Sequence, residues 1–261
     1  EIPAFKNQIV LESIVDDQIK ETSPIARLGI TITEPLEGED LLVPLFFGGS
    51  SRKGPVNPSL CTEKGITEQH EAFKRFDYLL PKEEIFLKKG EKTASMYICI
   101  VDDSIFEGPE SIRIRIGNVR DVVKRGAIIS KNIMIIDDEK PPQVNFDIDR
   151  REIFEGLVSI TAKVNNISEL PSEIPVRFSG SAKKEVDYRL IDSPVIKIFP
   201  FTEKGSMHLE IIQEDVPLYA SRTLTVEMEE KGLTNVEIGQ ISRQQNRIIG
   251  ALEMKDCSGI N

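Results

Sequence analysis

Acidic residues stand in this chain where short apolar runs end. Asp102-Asp103 follows Met96-Tyr97-Ile98-Cys99-Ile100-Val101, Glu107 and Glu110 occupy the next turn, and Asp137-Asp138 follows Ile133-Met134-Ile135-Ile136. Carboxylates are hard oxygen donors, and calcium takes six to eight such oxygens from carboxylates and backbone carbonyls. If the strand ends are neighbours in space, these six acids share one small volume. Two like charges about 5 Å apart repel by about 3 kcal/mol at an effective dielectric near 20, so the gathering calls for a cation. Each acid alone reads better as a solvated turn residue. Their return at successive strand ends is what favours a cation site.

Other chemistries fit less well. Two carboxylates at a suitable separation can act as acid and base or nucleophile in a hydrolase. Here, however, there is no tryptophan and no aromatic platform for a sugar. Of the two histidines, His70 lies in a long insertion and His208 sits within the strand-like Met207-His208-Leu209, where a structural role is expected. No Gly-x-Ser-x-Gly elbow, phosphate-binding loop or Cys-His zinc pattern is present. Asp147-Ile148-Asp149 fails as an EF-hand, because Glu152 and Val158 stand where glycine and glutamate are required. The chain is therefore not read as an enzyme. A net charge of −10 disfavours nucleic acid, whose phosphates need concentrated Lys and Arg. No apolar run reaches the length of a membrane span. Cys61, Cys99 and Cys257 are too few and scattered for a disulfide framework, and ordinary thiols are expected.

The elements that would hold the acids read as strands. In Ile112-Arg113-Ile114-Arg115-Ile116 every second residue is apolar, which turns isoleucines inward and arginines to water. No segment carries a convincing helical period. Many short strands separated by Gly, Pro and acidic clusters bury their faces best as two packed sheets. The chain also repeats itself. Residues 9–21 and 143–155 share a layout ending in Ile19-Lys20-Glu21 and Ile153-Phe154-Glu155, and Phe76-Asp77-Tyr78 is answered by Val186-Asp187-Tyr188. Each Asp-Tyr precedes a strand, a Lys-Gly turn and a strand ending in an acidic pair, Asp102-Asp103 or Glu214-Asp215. The first copy is longer by about 24 residues, held in 48–73. Two prolines in Glu139-Lys140-Pro141-Pro142 mark a stiff link, so the domains are expected at 1–140 and 141–261.

The stretch from Ile100 through Asp102-Asp103, Glu107-Gly108-Pro109-Glu110 and Ile112 to Ile116, closed by Ile133 to Glu139, resembles the signature of the Calx-beta family. With Asp77-Tyr78 and the Lys89-Gly90 turn, the resemblance spans nearly all of 9–140; residues 143–257 share the frame with weaker acidic positions. It implies an all-β chain of two tandem immunoglobulin-like sandwiches. It further implies calcium ligands at Glu21, Asp77, Asp102, Asp103, Glu107, Glu110, Asp137 and Asp138, with Glu21 placed through the internal repeat and the family's early glutamate. In the second copy Tyr219 and Arg222 replace Glu107 and Glu110, and 252–256 lacks an Asp-Asp pair, so that copy is expected to be a calcium-free scaffold.

The expected function is a calcium-binding structural or regulatory module of a larger protein, in which Ca2+ rigidifies loops and linker and supports contacts with other protein domains. A calcium-independent adhesive or spacer pair is the alternative, with a carboxylate hydrolase behind it. The Asn166-Ile167-Ser168 sequon and the repeat favour an extracellular or cell-surface setting, as in matrix-type relatives. Exchanger-type relatives make a cytoplasmic regulatory segment the alternative.

Overall fold

The computed structural model describes residues 7–13, 17–66, 75–119, 123–148, 150–212 and 221–249. Among them there are strands and no helix. The chain forms two compact units. The first holds β1 (Asn7–Ser13), β2 (Gln18–Lys20), β3 (Ile25–Ile32), β4 (Leu41–Gly49), β5 (Lys53–Val56), β6 (Cys61–Thr62), β7 (Gly65–Ile66), β8 (Tyr78–Leu80), β9 (Glu84–Leu87), β10 (Thr93–Ile100), β11 (Glu110–Ile116), β12 (Val123–Arg125) and β13 (Ser130–Ile136). One sheet runs β12-β1-β3-β10-β8-β5 and the other β2-β13-β11-β4-β9. Ile9, Leu28 and Ile98 from the first meet Val43, Ile112 and Ile133 from the second in one core, which makes this unit a sandwich.

The second unit holds β14 (Gln143–Phe146), β15 (Arg150–Ile153), β16 (Gly156–Val164), β17 (Ser172–Gly180), β18 (Tyr188–Leu190), β19 (Val195–Ile198), β20 (Lys204–Ile211), β21 (Ser221–Met228), β22 (Glu237–Ile238) and β23 (Arg243–Ile249). Its sheets run β22-β14-β16-β20-β18 and β15-β23-β21-β17-β19. Val144, Ile160 and Leu209 of one pack with Val176, Leu224 and Ile248 of the other. Strands β1 to β4 and β8 to β13 thus correspond one for one with β14 to β23 in the same spatial order. The internal repeat is a repeat of strand order as well as of residues.

The alternation of β11 survives intact, with Ile112, Ile114 and Ile116 buried and Arg113 and Arg115 exposed. The two repeats also share a close approach. Gly49 ends β4 at φ 117° and Gly180 ends β17 at φ 118°, a region that L side chains rarely adopt. A Cβ at Gly49 would lie 2.0 Å from the Ser111 carbonyl oxygen, and one at Gly180 would lie 2.2 Å from that of Thr223. Glycine at these points lets β4 and β17 close onto the starts of β11 and β21.

The insertion of the first repeat is built onto its sandwich. Strand β5 pairs in parallel with β8, extending the sheet edge, and β6 and β7 form a small hairpin. The expectation of free thiols is overturned here: Cys61 of β6 and Cys99 of β10 form a disulfide with Cα atoms 5.7 Å apart. The spacing of these two cysteines hid the pairing, because only the return of the insertion across β10 brings them together. Around the disulfide Leu79 and Val101 form a small second core. Cys257 and His70 lie outside the described residues, as do residues 67–73 of the insertion.

Tyr78, at the start of β8, is fully buried, its ring 6.3 Å from that of Phe47. Burial, reinforced by Asp77 and Glu83, keeps the phenol protonated far above its ordinary range. Its hydroxyl finds no hydrogen-bond partner among the described residues. An unsatisfied buried hydroxyl costs more than it returns, so Tyr78→Phe is expected to stabilise the first unit by about 1 kcal/mol in denaturant unfolding. A loss of similar size would show that the hydroxyl is bonded after all.

Candidate metal centre

Register places the acids. The parallel pairing of β2 with β13 sets Lys20 beside Ile136, and the Glu21 amide donates to the Ile136 carbonyl at 3.0 Å. Glu21 therefore leaves β2 where Asp137-Asp138 leaves β13. In the facing sheet Tyr78 pairs with Ile100, and the Val101 amide donates to the Asp77 carbonyl at 3.0 Å, which sets Asp77 beside the start of Asp102-Asp103. Glu110 opens β11 opposite Ile135. Strand ends from both sheets thus converge on one end of the sandwich.

Two groups of carboxylates result. Ligand oxygens of Asp77, Glu107 and Glu110 lie within 4.8 Å of one another, and so do those of Glu21, Asp138 and Glu139. Glu21 and Asp77 are each only 4% exposed and Glu107 8%, unusual burial for carboxylates. Asp102, Asp103 and Asp137 are in neither group. Asp102 is exposed, and Asp137 Oδ2 accepts from the Gly108 amide at 2.7 Å, bracing the turn that carries Glu107 and Glu110. Gly108 takes φ 76° in that turn. Glu139, which follows Asp138 directly, is the member that residue patterning did not single out.

The donor set suits one class of ion. All six grouped ligands are carboxylates, with no histidine or cysteine among them. That composition fits calcium and disfavours zinc. Charges of one sign this close favour a divalent cation by several kcal/mol before desolvation is counted.

Asp77 also has a cationic neighbour. Arg52, just before β5, donates its backbone amide to Asp77 Oδ2 and places a guanidinium nitrogen 3.2 Å from Oδ1. The second repeat answers with Asp187, 2% exposed, which accepts from the Lys183 amide at 2.7 Å and takes both oxygens to the Arg222 guanidinium. Register aligns Arg222 with Glu110: Glu110 lies opposite Ile135 and Arg222 opposite Ile248, and two residues on, Ile112 and Leu224 face Gly49 and Gly180. In the second repeat an arginine therefore stands in place of one acid and neutralises another. Glu214, Asp215 and Tyr219, together with 252–256, lie outside the described residues.

Asp147 and His208, which lie away from these groups in sequence, have side-chain partners of their own. Asp147 pairs with Lys163 at 3.1 Å and Lys204 at 3.6 Å, and the Lys163 hydrogen bond holds its carboxyl below the usual range. His208 donates its amide to Asp192 Oδ2 at 2.7 Å, with its Nδ1 2.8 Å from the same oxygen.

No family model and no curated protein matches the chain. Among solved structures it is similar to CBD12 from CALX1.2, at 14% identity over 92% of this chain and 99% of that one, with a TM-score of 0.36. It is similar also to the calcium binding domain CBD12 of CALX1.1, at 15% identity over 88% and 96%, with a TM-score of 0.35. The class 5 fimbriae chaperone CfaA matches over 93% and 99% at 11% identity and a TM-score of 0.29. Superpositions this loose carry no argument about function, and the fold rests on the strand order of the chain itself. In its all-β tandem repeat and its acidic strand ends, the chain resembles a pair of Calx-beta domains.

Proposed function

We propose that the chain is a calcium-binding structural or regulatory module, with its calcium held by the first sandwich. The observation that carries this reading is the pair of carboxylate groups at one end of that sandwich, Asp77 with Glu107 and Glu110, and Glu21 with Asp138 and Glu139. Asp102, Asp103 and Asp137 complete the proposed set as flanking ligands or braces. The second repeat supports the same reading by contrast, since Arg222 supplies in cis the positive charge that Asp187 needs. That repeat then serves as a scaffold.

Calcium would neutralise the repelling strand ends and order the turns that bear them, together with the proline-rich link after Asp138. Such a module transmits an ion signal to other protein domains by stiffening, and no bond-making step is required of it. No described helix is long and apolar enough to cross a membrane. The Cys61–Cys99 disulfide supports an oxidising compartment for the protein. The test is a calcium titration of the chelator-treated chain by calorimetry, with small-angle scattering on the saturated sample. Saturable binding with a changed scattering profile supports the reading; an unchanged profile at saturation removes the stiffening.

A further inference from the structure

We infer that Arg52 is a tethered cation that competes with calcium for Asp77, so that the insertion of the first repeat sets the affinity of the site; this rests on the calcium reading above. The buried aspartate of each repeat takes the same pair of partners, a backbone amide and a guanidinium. In the second repeat these come from separate places, Lys183 in the preceding loop and Arg222 on β21. In the first repeat both come from Arg52. The strand position that carries Arg222 is here the carboxylate Glu110, so the guanidinium arrives from the insertion instead.

The approach of Arg52 is fixed by the backbone. The Asp77 amide donates to the Arg52 carbonyl at 3.0 Å, β5 begins at the next residue, and the Asn57 amide donates to the Leu80 carbonyl at 2.8 Å. Beyond β5 the insertion is tied to β10 through Cys61–Cys99. The guanidinium is thereby held at Asp77, yet the side chain is 29% exposed against 4% for Asp77, which leaves it a path into water when a stronger cation arrives. A divalent ion coordinated by Asp77, Glu107 and Glu110 and a guanidinium at Asp77 Oδ1 are alternatives for the same charge. The arginine lowers the repulsion of the calcium-free site and must yield for calcium to bind.

The experiment measures the calcium dissociation constant and the melting temperature for the intact chain and for Arg52→Gln. The expected result is a dissociation constant about tenfold smaller in the variant, a difference of about 1.4 kcal/mol. It is accompanied by a lower melting temperature in chelator that recovers in saturating calcium. Equal or weaker affinity in the variant, with the wild-type chain binding calcium, overturns the competition and leaves the calcium reading standing. No binding to either protein overturns both. Arg52→Lys, which keeps the charge and loses the fork, covers the case in which Arg52→Gln does not fold. It is expected to bind a few-fold more tightly than wild type, and unchanged or weaker affinity there also overturns the inference.

Discussion

Replacing Glu110 by arginine is expected to abolish calcium binding to the first sandwich while leaving it folded. The second repeat already carries this arrangement: Arg222, aligned with Glu110 by the pairing of β21 with β17 and β23, neutralises Asp187 without any ion. Glu110→Arg would remove one carboxylate from the group with Asp77 and Glu107 and set a positive charge in its place. Losing a single favourable charge contact at about 5 Å is worth about 3 kcal/mol at an effective dielectric near 20, or more than a hundredfold in affinity, and the added repulsion increases this. Glu110→Gln keeps the shape and removes only the charge, so it is expected to weaken binding by a smaller factor. Calorimetric titration checks both, with unfolding in chelator as the control for folding. Wild-type affinity in Glu110→Arg would place the ion elsewhere.

The second large effect belongs to the disulfide. Removing it with Cys61→Ser and Cys99→Ser frees a segment that spans 38 residues of sequence. Loop-closure entropy for that length corresponds to a loss of about 4 kcal/mol of stability at 25 °C. The sulfur atoms are buried with Leu79 and Val101, so the two hydroxyls also introduce polar atoms into a small apolar core. The expected outcome is a marked fall in the denaturant midpoint of the first unit with little change in the second, and the same fall for wild type under reducing conditions. A double variant as stable as wild type would mean that β5 and the hairpin are held by their backbone pairing alone.

The parts of this architecture that depend on local pattern are legible in the residues. Ile112 to Ile116 announces a half-exposed strand because a pleated strand turns alternate side chains to opposite faces, and no tertiary information is needed. The repeat of Asp77-Tyr78 in Asp187-Tyr188 is visible for the same reason, and both aspartates are buried at matching strand starts. Acids at strand ends can be read as a cluster once a sandwich is assumed. What cannot be read is whatever depends on where a long excursion returns. Cys61 meets Cys99 because the insertion returns across β10, and Arg52 meets Asp77 because β5 comes to lie parallel to β8. Neither pair has a spacing that carries a signal.

The division of labour among the acids is similarly hidden. Asp137 and Asp138 are adjacent and chemically identical, yet Asp137 holds the Gly108 amide and Asp138 joins Glu21 and Glu139. Both lie past the end of β13 at Ile136, where strand alternation no longer sets side-chain direction, so which one joins the group depends on the path the chain takes after the strand. Glu139 reads in the chain as one more acid before the prolines, and only the end of β13 brings it beside Glu21.

The most direct measurement is the calorimetric titration of the chelator-treated wild-type chain with calcium. The carboxylate groups at one end of the first sandwich predict saturable binding, and at a free calcium concentration one hundred times the dissociation constant, a stabilisation of about 2.7 kcal/mol. Heats indistinguishable from dilution, with no change in stability at millimolar calcium, would contradict the account and leave a calcium-independent spacer in its place.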